Sequence, residues 1–165
     1  MNRDMVLIGI VCVLAIVIGA WLFLAGGTAQ APTVDDTTPR IIAQGQFSGL
    51  VTERKNFRIE SSDELLELWR MVYASDGPAL PPVDFERYEV LAIFDGTHSS
   101  GGYDIEMVSV EDEPGATRHV TILHSAPGES CMTTQAITSP FKVIVLSKSA
   151  LPITRTDITE TVPCE

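Results

Sequence analysis

An uncharged apolar run from Met5 to Gly27 divides this chain before any other feature can act. A helix rising about 1.5 Å per residue carries a run of that length across a hydrocarbon core of about 30 Å, so it reads as a transmembrane helix. Arg3 and the amino terminus flank its short side, which favours a cytoplasmic N-terminus and a C-terminal part outside the cell, with Asp4 weakening the contrast. Trp21 suits the outer interface. The rival reading is a cleaved signal peptide, because Ala29-Gln30-Ala31 has the small-x-small form of a cleavage site. Against it, the run exceeds the usual length of about 7 to 15 residues and Pro32 would follow the cut. Cys12 lies in the middle of the run, without the sequence context of a lipoprotein attachment site.

The expected organisation is a short cytoplasmic end (1–4), a single-pass anchor (5–27), a flexible tether (28–40) and one extracytoplasmic domain (41–165). The tether lacks periodicity and large apolar groups, so it has nothing to bury. Lys plus Arg total 11 against 22 Asp plus Glu, a formal net charge of −11. Nucleic-acid phosphates and anionic lipid surfaces both demand a basic footprint, so this balance excludes electrostatic binding to either. Membrane association is expected through the N-terminal helix alone. Cys131 and Cys164 are the cysteines of the expected domain. An outside location favours joining them in a disulfide closing a loop of about 33 residues, an effect of roughly 3 to 4 kcal/mol on the chain-entropy model. Two free thiols, or a nucleophilic cysteine, are the alternatives.

The domain reads as α+β: a mainly antiparallel sheet or sandwich packed with one helix. Ile41–Val51 and Phe57–Ile59 look like short strands joined by the polar turn Thr52–Asn56. Ser61 followed by Glu64 forms a capping-box pattern, and Leu65, Leu68, Trp69 and Val72 repeat at helical spacing, so a helix covering one sheet face follows. Trp69 on that stripe is read as packing, not as a ligand platform. Tyr88–Phe94 and Phe141–Leu146 are nearly continuous apolar runs, the pattern of strands covered on both faces. Arg118–His124 and Thr154–Val162 complete the strands. The most unusual stretch is Ser99-Ser100-Gly101-Gly102-Tyr103, which leads into the alternation Tyr103, Ile105, Met107 against Asp104, Glu106. A Gly-Gly pair entering a strand marks a tight turn, a bulge, or the close approach of another chain. We read it as the turn into a central antiparallel strand.

Chemistry is sparse. His98, His119 and His124 show no H-x-H or H-x-x-x-H spacing, and an odd separation on a strand points His119 and His124 to opposite faces, so no metal site is expected. Ser99 or Ser100 beside His98 lacks a nucleophile elbow, and a turn of small residues accounts for them. Asp84, Asp95, Asp104 and Glu106 read as acids on a wet face, which need no catalytic explanation. No Gly-x-Gly-x-x-Gly, P-loop or other cofactor motif occurs, so no cofactor and no catalytic residue are expected. An enzyme built on His98, Asp95 and Asp104, or a purely structural envelope protein, remains the alternative.

The motifs occur in a recognisable order. Leu68-Trp69, Leu80-Pro81-x-Val83-Asp84-Phe85, a strand ending at Gly96, and Ser100-Gly101-Gly102-Tyr103-x-Ile105 come first. Cys131-x-x-x-Gln135-Ala136-x-Thr138-x-Pro140-Phe141-x-Val143 and Lys148 follow. Together, from about Gly45 to Cys164, they resemble the C-terminal domain of the protease complex subunit PrcB family. That family takes its name from a surface lipoprotein that associates with a subtilisin-like protease; this chain differs in having a helical anchor and no lipobox. The resemblance implies a non-enzymatic binding domain whose partner is another envelope or secreted protein, with a subtilisin-like protease the family's example. The loops near Thr97–Tyr103 and Glu129–Pro140 are the expected contact surface, with Ser100, Gly101, Gly102, Tyr103, Gln135 and Pro140 as candidate partner-binding residues.

Overall fold

Val90–Phe94 are apolar without alternation, and a strand of that kind needs cover on both faces. In the computed structural model β3 (Tyr88–Asp95) has it: seven of its eight residues are buried. The structure describes residues 38–75 and 77–164. The expected cytoplasmic end, anchor (5–27) and most of the tether lie outside these residues. β3 pairs with β2 (Arg54–Ile59) on one side and β6 (Phe141–Ser147) on the other, and β1 (Arg40–Gly45) closes an antiparallel sheet of order β1-β6-β3-β2.

Val90, Ala92 and Phe94 point to one side of this sheet and Leu91 and Ile93 to the other. The first side is covered by α1 (Ser62–Tyr73). Ser61 caps it, accepting a hydrogen bond from the Glu64 amide at 3.3 Å, while the Glu64 carboxylate accepts from the Glu60 amide at 2.8 Å. Leu65, Leu68 and Val72 are buried against the sheet as their spacing requires, each worth roughly 1.5–3 kcal/mol of transfer free energy, and Trp69 is buried beside them. The Trp69 indole N–H donates to the Pro78 carbonyl at 2.8 Å, which makes this residue a packed and satisfied core tryptophan.

A second sheet covers the other side. It has the order β4-β5-β7, with β4 (Asp104–Asp112), β5 (Arg118–Pro127) and β7 (Ile153–Val162). Ile105, Val120 and Ile122 from it pack on Leu91, Ile93, Ile144 and Leu146. The domain is therefore a helix, a four-stranded sheet and a three-stranded sheet in layers, which agrees with the sheet-rich, one-helix expectation.

The pairing is mainly antiparallel, as expected; the exception is β5 with β7, which run parallel and make the second sheet mixed, because β6 crosses back through the first sheet between them and delivers the chain to the end from which β5 started. Two expectations need correction. β4 lies at the edge of its sheet and is not central. Finally, Arg54–Asn56 form the first half of β2, where a turn is expected. They pair with Asp95–Ile93, and β1 and β2 occupy opposite edges instead of forming a hairpin.

Candidate functional site

Along β3, the inter-sheet face is occupied in turn by Glu89, Leu91, Ile93 and Asp95, so an acid closes each end of an apolar row. Both carboxylates are buried, and a buried carboxylate survives only with partners. At the first end Arg58 Nε donates to Glu89 Oε2 at 2.8 Å and Arg118 Nη1 to Oε1 at 2.5 Å. Arg118 also grips Asp112 through Nε at 2.6 Å and Nη2 at 2.8 Å. The hydrogen bond from Arg118 holds the Asp112 carboxyl below the usual carboxylate range, and the same bond raises Arg118 against the cost of its burial. This end is sealed by permanent charges.

Asp95 has different partners. Arg54 Nη2 donates to Oδ1 at 2.8 Å, His124 Nδ1 lies 2.6 Å from the same oxygen, and His98 Nε2 lies 2.7 Å from Oδ2. Facing carboxylate oxygens, both imidazole nitrogens act as donors. His124 is buried with its Nε2 3.4 Å from Asp157 on β7, and the His98 ring stacks on Tyr103 with centroids 3.7 Å apart and planes 8° apart. The cluster thus joins β2, β3, β5, β7 and the 96–103 loop.

That loop is fastened to the 128–140 loop. His98 and Thr138 exchange backbone hydrogen bonds at 2.8 and 3.0 Å, the Gly101 amide donates to the Thr134 carbonyl at 3.0 Å, and Thr138 Oγ1 donates to the Ser100 carbonyl at 2.7 Å. The glycine pair has a local reason. A Cβ on Gly101 would meet Thr134 Oγ1 at 2.3 Å, and Gly102 sits at φ +93°. The approaching chain is this protein's own second loop. Cys131 and Cys164 form a disulfide with Cα atoms 5.4 Å apart, joining that loop to the end of β7.

The expected partner-binding residues are therefore brought to one end of the domain, but not all reach its surface. Gly102 and Gln135 are exposed, Ser100 and Tyr103 are half-buried, and Gly101 and Pro140 are buried, so these last two serve packing. Of the alternative enzyme residues, His98 and Asp95 meet, whereas Asp104 is exposed and pairs with Lys142 Nζ at 3.3 Å. Ser100 Oγ turns to the Gly101 carbonyl. Through its hydrogen bonds the cluster fastens β2, β3 and β5 to the 96–103 loop. Among the described residues, no group of three or more His, Cys, Asp or Glu side chains converges to hold a metal ion, and His119 and His124 point to opposite faces of β5 as their separation requires.

Sequence reasoning placed Asp95 on a wet face and missed its pairing with His124. One signal was present: Arg118, Val120, Ile122 and His124 share a parity, and two apolar neighbours of that parity mark the buried row. It also missed four exposed apolar side chains, Met132 at 102% and Ile137 at 66% of full exposure on the 128–140 loop, and Phe47 at 64% and Leu50 at 78% on the loop between β1 and β2. The Phe47–Leu50 loop is tied to the others, because the Ser139 amide donates to the Gln46 carbonyl at 2.7 Å and the Ser48 amide to Ser139 Oγ at 3.0 Å.

No curated protein and no solved structure gives a significant match to the chain. The motif residues Leu68, Leu80, Val83 and Phe85 pack into the helix-side core, and Lys148 Nζ donates to the Phe85 carbonyl at 2.7 Å. Residues 90–147, which span β3 through β6 with the 96–103 and 128–140 loops, match the family model described as PrcB C-terminal.

Proposed function

We propose that this protein is a membrane-anchored, extracytoplasmic, non-enzymatic interaction domain. It serves as an accessory, stabilising or inhibitory subunit of a secreted or surface protease of the subtilisin-like class. The observation that carries the reading is the loop end itself. Phe47, Leu50, Met132 and Ile137 are held in water on loops that are cross-linked by backbone hydrogen bonds and a disulfide. Large apolar side chains on a fixed scaffold bind with little ordering cost, which is the economy of a preorganised interface. The family match supports a protease-complex association.

The test uses the full chain, purified from native envelope with a tag, and identifies co-purifying proteins by mass spectrometry. The expected result is a secreted or surface protease that is lost when Met132 and Ile137 are both replaced by Ser. Recovery of the same protease with the double variant would rule out the loop end, and recovery of no protease at all would count against the protease role.

A further inference from the structure

The two sheets expose four edge strands, and three of them are defended against pairing. β1 has six residues and a register shift between Ile41 and Ala43. β4 carries Asp104, Glu106, Glu111 and Asp112 and a register shift between Met107 and Ser109. β2 has six residues with Arg54, Lys55 and Arg58 among them. A strand bearing charge of a single sign repels its own copy. β7 has none of these devices. Its ten residues stay in unbroken register with β5, contain neither Pro nor Lys, and are exposed from Thr154 to Val162. Among the described residues it pairs on one side only.

We infer that the open edge of β7 pairs with the β7 of a second copy of this chain, antiparallel about a two-fold axis at Thr156. A two-fold axis normal to a continuous sheet keeps inner faces aligned, so it must pass beside a residue and not between two. Centring on Arg155 or on Asp157 sets like charges opposite each other. Centring on Thr156 sets Arg155 opposite the partner's Asp157, and symmetry repeats the pair. Both side chains are partly exposed, at 45% and 31%, and within one protomer Arg155 Nε already lies 3.4 Å from Asp157 Oδ2, so the cross-strand pairs extend an ion pair that each copy carries. The same register places Thr156 opposite the partner's Thr156 and Thr154 opposite the partner's Ile158, whose side chain is 45% exposed here. Threonine pairs, β-branched pairs and opposite charges are the cross-strand combinations that stabilise a ladder. The result is a six-stranded sheet running through two protomers.

The full-length chain in detergent micelles, carrying Thr156→Cys, is oxidised with copper phenanthroline and resolved on a non-reducing gel. A covalent dimer linked through position 156, identified by mass spectrometry, is the expected product. Glu160→Cys, on the same face but away from the axis, forms less than about a tenth as much dimer. Adding Arg155→Asp to Thr156→Cys lowers the cross-linked fraction about tenfold, and adding Asp157→Arg to that variant restores it. Should the charge-swapped variant lose the native circular dichroism spectrum, Arg155→Lys takes its place and must cross-link like the parent. Equal cross-linking at positions 156 and 160, absence of cross-linking at both, or indifference to Arg155→Asp overturns the proposal.

Discussion

Glu89 and Asp95 stand at the two ends of one strand, on one face and equally withdrawn from water, yet they are neutralised by different kinds of group. Glu89 is held by two guanidiniums, which keep their charge at any pH the protein meets. Asp95 is held by one half-exposed arginine and two imidazoles, groups that can also exist neutral. Two arginines make a fixed seal far from the loops. The mixed set makes a joint where β2, β3, β5, β7 and the 96–103 loop meet, and the loops proposed to bind a partner are mounted on it. Burial alone therefore does not say what a buried acid is for; the identity of its partners does.

The largest effect should come from breaking the fixed seal. Glu89→Ala leaves Arg58 and Arg118 facing each other without an acid between them, and we expect a loss of about 3–5 kcal/mol in urea unfolding. A loss below 1 kcal/mol, by rough reckoning on the same scale, would mean that Arg118 is satisfied by Asp112 alone. Next, replacing Cys131 and Cys164 together by Ser should cost about 3–4 kcal/mol, and hydrogen exchange should show the lost protection concentrated in the loops and the end of β7. Uniform loss across the domain would deny that the disulfide belongs to one end.

Asp95→Ala should cost less than Glu89→Ala, about 1–3 kcal/mol, because the half-exposed Arg54 can return to water. Equal costs at the two ends would erase the distinction drawn here. The smallest effect is a pH dependence. Asp112 has a lowered pKa in the folded state, so its contribution is full above the ordinary aspartate range, near about 4, and is lost as pH falls below it through the folded value. The Asp112 side chain is 42% exposed, which screens the pair to roughly 0.5–1 kcal/mol. Melting temperatures followed from neutral pH into that acid range should fall less steeply for Asp112→Asn than for the parent chain.

The helix and the central strands were legible because their signals are local. A cap, a stripe of four apolar residues and two unbroken apolar runs each lie within a dozen positions or so. The Asp95 joint was not legible, since Arg54 and His124 reach it from 41 and 29 residues away and only the sheet order brings them together. The glycine pair falls between these cases. Its closeness to another chain segment could be read from Gly101-Gly102, but that the segment is the Thr134 loop could not. The parallel course of β7 was hidden for the same reason, because direction depends on where β6 leaves the chain.

That parallel course sets the order in which the domain can be completed. β7 meets β5 across a separation such as the 35 residues between His119 and Thr154, with β6 already committed to the other sheet. Contacts this distant in sequence form late and slowly, and β7 also leaves a ribosome after the strand it pairs with. Cys164 lies just beyond it, so its sulfur arrives at Cys131 only after β7 has found its neighbour. The covalent bond then acts as a latch on a finished fold, sealing a chain whose last-made contact would otherwise be its easiest to undo.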